Sequence, residues 1–465
     1  MPPPTRSTLR RAAVMTALIA AGEAVFLLPF VVARIFRPTF LDVFGLTNLQ
    51  LGTAFSLYGV VAMVSYFAGG PLADRFSARR LMTAALVVTS LGGGIFATIP
   101  SLGVLTLLYG LWGVTTILLF WAALIRATRE WGGLSGQGRA YGLLDSGRGL
   151  MAALLASLSV ALFAVLLPDE VAAATLAQRA AALSRIIWIF TGLVLGVAVL
   201  VWVAVPENDP GRLAEPDRAF TLQGVRRVLR MPSVWLQAVI VLCAYVGYKS
   251  TDDFSLFARD AFGYDDVAAA QIGTLSFWIR PIAAVGAGLL GDRISASRAI
   301  ILSFGVLIVG SLAMALGVLQ PGMHGLLVAT VAGASVGIYA LRGLYFALFA
   351  EARVPLAFTG SAVGLVSVIG YTPDVFMGPL MGYLIDRSPG AAGHQHVFGV
   401  LAVFAAVGLI ATVLFQRVSG EGRGVATGRP PSLVRQDQRF HQDGLRSRRR
   451  AGRRDRGDGG ILPLP

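Results

Sequence analysis

Residues Gly69–Arg80 read GGPLADRFSARR, a charged turn set between two long apolar runs. The stretch occurs twice. Ala287–Arg298 reads AGLLGDRISASR, 218 residues later, and Leu72, Asp74, Arg75, Ser77, Ala78 and Arg80 all meet identical counterparts. That many identities at one offset mark an internal repeat, and a period near 218 in a 465-residue chain means two similar halves. The same offset lays DVFG at Asp42–Gly45 on DAFG at Asp260–Gly263, both placed to end an outward-going helix. A second match, GRAYGL from Gly138 against GSAVGL from Gly360, opens the fifth and eleventh apolar runs.

The composition around the repeat is that of a membrane protein. A soluble domain carries about 25% charged residues, whereas this chain is 14% charged and 55% hydrophobic, with a mean hydropathy of +0.70. Apolar runs recur, and the sequence predicts spans at 12–34, 49–70, 81–99, 103–126, 139–166, 185–205, 233–257, 268–290, 299–319, 324–349, 357–385 and 397–416. Each must be a helix, because the bilayer core offers no water to satisfy an open backbone. The first run follows Arg6, Arg10 and Arg11 but is too long for a signal-peptide core and is interrupted by Glu23, so it reads as a retained span. Arginine concentrates in one alternate set of loops, which puts both termini and both charged turns in the cytoplasm. The expected architecture is all-α: a first six-helix half over 1–205, a cytoplasmic linker over 206–232, and a second six-helix half over 233–418. A basic tail without periodicity over 419–465 completes it.

The formal charge of +14 is dominated by that tail and is not accompanied by a basic, aromatic-interleaved surface, which excludes a nucleic-acid module. Cys243 is the one cysteine, so neither a disulfide nor a cysteine metal site is available. The histidines, His324, His394, His396 and His441, fall in outer loops or the tail, and no metal, cofactor or enzyme constellation is expected.

With twelve spans and two charged turns, the chain resembles the major facilitator superfamily, whose loop between helices two and three carries a pattern close to G-x-L-x-D-R-x-G-R-R. Gly70, Leu72, Asp74, Arg75 and the Arg79/Arg80 pair match it; Ser77 stands where the family usually has Gly. The resemblance implies a gate formed by Gly70, Asp74, Arg75, Arg79 and Arg80 with Asp292, Arg293 and Arg298 of the second copy. That gate would hold the cytoplasmic side closed in one state and release it in the other. The helix-two motif looks similar to the branch that includes organophosphate antiporters, which place arginines in spans one and seven. Here Arg34 lies near the outer end of span one, and span seven offers Lys249. Span five lacks the Pro of the family's drug/proton antiporter motif.

Ionisable side chains inside a span cost about 2.5–3.5 kcal/mol on insertion scales, so each one marks a functional candidate. Glu23 sits roughly 16 Å into span one at helix rise. Lys249, the only lysine, shares span seven with Tyr245, Tyr248, Asp252 and Asp253, which are expected on one helix face. Arg280 and Arg342 lie near mid-depth of spans eight and ten, Asp145 and Arg148 form an i,i+3 pair in span five, and Tyr371, Pro373 and Asp374 mark a helix break in span eleven. If Asp145 neutralises Arg148, then Arg280, Arg342 and Lys249 remain to meet an anion, with Tyr245 and Tyr371 beside them. Arginine's planar fork suits carboxylate, phosphate or sulfonate.

These residues predict a monomeric secondary transporter of the inner membrane that moves a small organic anion by alternating access, with Glu23 and Asp374 for proton coupling. One alternative is a proton-coupled exporter of amphiphiles lined by Trp112, Phe120 and Trp121. Another is a non-transporting receptor of the same fold.

Overall fold

In the computed structural model, residues 6–133, 136–207, 227–352, 354 and 359–424 are described. The expected linker and tail lie mostly outside the described residues, although residues 419–424 continue the last helix. Those described are helical or in short connections, with no strand among them. Among the described residues twelve long helices cross the molecule. Six belong to the first half: α1 Leu9–Ile35, α2 Asn48–Arg75, α3 Ala78–Phe96, α4 Leu102–Gly132, α5 Arg139–Leu166 and α6 Leu176–Ala204. Six belong to the second: α7 Pro232–Ser250, α8 Asp266–Ile294, α9 Ala296–Ala315, α10 His324–Leu344, α11 Ala362–Arg387 and α12 Ala391–Ser419. Eleven of them are long and apolar enough to span a bilayer; α3 falls short because Arg79 and Arg80 occupy its first turn.

Burial orders the helices. The apolar window of α1 is 78% buried and that of α7 67%, against 28–50% for the other nine windows counted, so α1 and its repeat counterpart run through the centre. The outer helices turn Val64, Phe67, Leu107, Leu158, Ile282 and Val309 outward, as a lipid-facing surface requires. The halves meet where α2 packs on α11 and α5 on α8. Glycine makes the first contact close: a Cβ on Gly52 would stand 2.1 Å from the Gly378 carbonyl oxygen, and one on Gly382 would stand 2.4 Å from that of Asn48.

The repeat is visible in local geometry. Gly45 and Gly263 both take left-handed φ, 61° and 69°, to end the short helices Arg37–Phe44 and Phe254–Phe262. Ser77 and Ser295 both cap the next helix, accepting from the backbone N–H of Arg80 and Arg298 at 3.4 Å. This gives the serine at the motif's usual glycine position a job, since the hydroxyl satisfies an N–H that glycine would leave free.

Three boundaries differ from expectation. Span seven does not run to 257: α7 stops at Ser250, where the Ser250 and Thr251 hydroxyls donate back to the carbonyls of Gly247 and Tyr248, and a new helix starts at Phe254. Asp252 and Asp253 therefore lie in the turn after α7, from which Asp252 still reaches Lys249 at 3.4 Å while Asp253 turns to His394. Span twelve starts earlier than 397, so His394 and His396 stand on α12 and not in a loop. In α11 the helix is broken between Gly370 and Pro373, with Pro373 in the first turn of the new segment, as the Pro and Gly content predicts.

Candidate functional site

At mid-depth five tyrosines form a continuous chain of ring contacts, and a sixth joins it through its hydroxyl. Tyr66 stacks on Tyr371 at 6.0 Å, Tyr371 meets Tyr245 at 4.9 Å, Tyr245 meets Tyr248 at 5.4 Å, and Tyr248 meets Tyr339 at 6.3 Å. The Tyr345 hydroxyl lies 3.5 Å from that of Tyr371. These residues come from α2, α7, α10 with its C-cap, and the break in α11, so the cage draws on both halves.

Arg342 lies in this cage. Its guanidinium carbon is 3.8 Å from the Tyr248 ring centroid and 5.7 Å from that of Tyr245. Its Nη1 is shielded from solvent and has no hydrogen-bond partner, and among the described residues Arg342 makes no ion pair. Ring faces stabilise a cation by about 0.5–2 kcal/mol, but they do not satisfy its N–H groups.

The other intramembrane cations are engaged. Glu23 Oε2 lies 3.5 Å from Arg280 Nη1 and 3.7 Å from Arg148 Nε, so a single carboxylate of α1 faces α5 and α8 at once. Arg148 also donates to the Gly22 carbonyl at 3.0 Å. The expected neutralisation of Arg148 by Asp145 is only partial. Asp145 is 3.6 Å away but 80% exposed, and the buried partner is Glu23. Lys249 Nζ lies 3.4 Å from both Asp252 and Asp374, and Tyr245 donates to Asp374 at 3.0 Å. Of the three cations expected to await an anion, Arg280 and Lys249 have carboxylates and Arg342 has none.

Beyond Lys249 the halves are bound together by charge. Arg34 donates to Asp252 at 2.5 Å and to the Tyr248 hydroxyl at 3.0 Å, with both ionised groups buried. Arg37 donates to the Asn48 side chain at 3.0 Å. The Asp386 carboxylate accepts from the Asn48 and Leu49 N–H groups and from the Asn48 side chain. Further out, Arg259 bridges Asp260 and Asp42, each at 3.0 Å, and Arg179 bridges Asp42 and Asp266 at 3.3 and 3.0 Å. Burial would raise the Asp260 carboxyl, but hydrogen bonding from His394 and the charge of Arg259 outweigh it and hold it below the ordinary carboxylate value. Arg34, Arg37, Tyr248, Asp252 and His394 stood outside the expected site. No spacing along the chain announces a contact between α1 and the turn after α7; the offset of 218 that relates Arg34 to Asp252 is the one signal that was present.

The motif residues occupy the opposite end. Arg79 and Arg80 both pair with Glu207 at the end of α6, and Arg79 lies over the Trp202 ring at 4.6 Å. Arg126 donates to the Ala73 carbonyl at the end of α2. Asp74 and Arg75 are exposed, Gly70 has open space around it, and among the described residues Asp74, Asp292, Arg293 and Arg298 form no ion pair. Trp112 and Phe120, expected in an amphiphile cavity, are fully buried within the first half, where Trp112 packs against Phe96 and Tyr109. Trp121 stands against Arg148. Among the described residues no group of three or more His, Cys, Asp or Glu side chains is arranged to hold a metal.

A fold of twelve helices in two repeated halves, with a charged central cage, defines a membrane transporter class. The model of the Major Facilitator Superfamily matches residues 12–372, and the chain belongs to that family. It is 30% identical over 388 residues to the inner membrane protein YqcE of Escherichia coli K12, covering 80% of this chain and 88% of that one. It is 27% identical over 425 residues to YihN of the same organism, covering 89% and 97%. Among solved structures it is similar in fold to a bacterial homologue of the human lysosomal transporter Spinster in an inward-facing, unoccupied conformation. The TM-score is 0.68 at 15% identity, over 89% of this chain and 98% of that one.

Proposed function

We propose that this protein is an inner-membrane secondary transporter of a small organic anion and that the anion binds Arg342. The observation that carries the reading is the unpartnered Nη1 of a shielded guanidinium lying among tyrosine rings and hydroxyls. A buried donor left unmade costs about 1–3 kcal/mol, and more when charged, so a bound carboxylate, sulfonate or phosphate group recovers that cost. Tyr245, Tyr248, Tyr339 and Tyr371 supply ring faces and hydroxyls for the rest of the substrate. Arg280 and Lys249 border the site while held by Glu23 and Asp374.

Proton coupling resides in those two carboxylates. Glu23 links the halves through Arg280, and Asp374, beside the break in α11, answers to Lys249 and Tyr245. Protonating either one releases a cation to the substrate or to the moving half, which ties proton entry to alternating access. With the topology read from the arginine distribution, the ion pairs around Arg34 close the outer side, and the motif end with its unpaired Asp74 is the cytoplasmic side in its open state. The relatives named inner membrane proteins support that location.

The test is counterflow and proton-driven uptake in proteoliposomes across carboxylates, sulfonates and sugar phosphates. Arg342→Ala is expected to abolish both, and Arg342→Lys to lower them. Glu23→Gln and Asp374→Asn are expected to lose proton-driven accumulation while retaining counterflow. Normal uptake of every anion by folded Arg342→Ala protein would refute the site.

A further inference from the structure

His394 is fully buried in the first turns of α12, and both of its ring nitrogens rest on carboxylates. Nδ1 is 2.8 Å from Asp253 Oδ2 and Nε2 is 3.2 Å from Asp260 Oδ2. A neutral imidazole has one N–H and one lone pair, and an ionised carboxylate only accepts. Two such contacts therefore require one more proton than a neutral ring carries, and the ring between two anions is its seat. Phe257 and Phe398 close over the triad, while His396, two residues on, is exposed.

The charges facing this ring lead in two directions. Asp253 belongs to the turn after α7, directly beside Asp252, whose carboxylate holds Arg34 across the halves. Asp260 holds Arg259, which reaches Asp42 in the first half, and Asp42 in turn holds Arg179, which returns to Asp266 in the second. One imidazolium thus anchors both the turn and the short helix Phe254–Phe262 from which the second half sends Asp252 and Arg259 across.

We propose that His394 is a proton-operated latch for this end of the transporter. With the ring doubly protonated, Asp253 and Asp260 are drawn to α12 and their neighbours are held in register for Arg34 and Asp42. When the ring loses a proton, one carboxylate is left facing a bare ring nitrogen in an apolar enclosure, the turn is released, and the cross-half pairs loosen. The latch acts on the gate and needs no substrate, so it stands apart from the reading of Arg342.

The experiment places spin labels on Ser101→Cys and Gln320→Cys, exposed positions at this end in opposite halves, in a Cys243→Ser full-length chain in nanodiscs. Electron–electron double resonance then reads their separation from about pH 6 to about pH 10, a range wide enough to take an imidazole between its charged and neutral forms. The expected result is one short distance at the acid end giving way to a longer population as pH rises. His394→Gln should show the longer population at every pH. Asp253→Asn together with His394→Gln, which removes the unpaired charge, should restore the short distance and abolish the pH response. A separation that does not change with pH in the parent protein would overturn the latch, as would a His394→Gln response identical to the parent's. If His394→Gln does not fold, Asp260→Asn takes its place: removing one anion should move the midpoint of opening to lower pH, and an unmoved midpoint would overturn the proposal.

Discussion

The two ends of this bundle are built from the same repeated segments and bear opposite relations to the partner half. At the Arg34 end the short helices Arg37–Phe44 and Phe254–Phe262, equivalent by the repeat, face one another through the partly exposed Arg259–Asp42 pair, and beside them Arg34 and Asp252 form a buried pair. At the Asp74 end the equivalent turns at Gly69–Arg80 and Ala287–Arg298 keep their pairs within one half, as Arg79 and Arg80 do with Glu207, or make none among the described residues. The lesson is that in this conformation the charge that holds the halves together lies away from the segment that identifies the family.

The sharpest way to break that contrast is to remove Asp252. Its loss leaves Arg34 buried with only a tyrosine hydroxyl, and removing one partner of a buried pair costs about 3–5 kcal/mol. Asp252→Ala is expected to lower the melting temperature and shift the population toward closure at the Asp74 end. The exchange Arg34→Asp with Asp252→Arg should recover part of the loss, since the pair is remade. Asp74→Asn should leave the melting temperature of this conformation nearly unchanged, and an equal drop in both single variants would erase the distinction between the ends.

Overpacking probes the same contrast sterically. A Cβ at Gly52 meets the Gly378 carbonyl, so Gly52→Ala should cost about 1–3 kcal/mol, whereas Gly70→Ala meets nothing within 4 Å and should cost only in the conformation where the other end closes. Cysteine alkylation rates at each end would separate the two. A third, smaller effect is acid sensitivity. Because the Asp260 carboxyl is held below its ordinary value, its contribution is fully present above the ordinary carboxylate range and is lost as pH falls through the lowered value. Thermal melts on the acid side should therefore show the parent protein losing an advantage that Asp260→Asn never had.

The smallest effect compares the two caps. Ser295 adopts φ 111°, a strained backbone for a residue with a side chain, while Ser77 sits at an ordinary −65°. Ser295→Gly is expected to stabilise by about 1 kcal/mol, since strain of this kind costs roughly 1–3 kcal/mol and glycine gives up only a few tenths as a cap. Ser77→Gly should lose those few tenths. Melting curves of the two variants with shifts of the same sign would mean the caps are equivalent after all.

What was legible in the sequence was whatever repeats or alternates along the chain. Periodic apolar runs predicted twelve helices, and an offset of 218 residues predicted two halves. The isolated intramembrane charges pointed to Glu23, Lys249, Arg280, Arg342 and Asp374. What stayed hidden was pairing, because a side chain's partner is set by which helices meet. Arg148 looked settled by Asp145 three residues away, yet its buried neighbour is Glu23 on α1, and His394 looked like a loop residue until α12 proved to begin at Ala391. The tyrosine cage was half visible, since Tyr245, Tyr345 and Tyr371 stood beside marked charges while Tyr66 had none in its own span.

Arg34 and Asp252 are separated by 218 residues, the same interval that superimposes one half on the other. Near a two-fold axis, each residue meets the copy of itself. A duplicated ancestor with identical halves would have set arginine against arginine or aspartate against aspartate there, and like charges at that distance repel. The present attraction could arise only after the two copies diverged at this position. The pair is thus a dated mark in the molecule's history: the point at which two interchangeable halves became a left and a right.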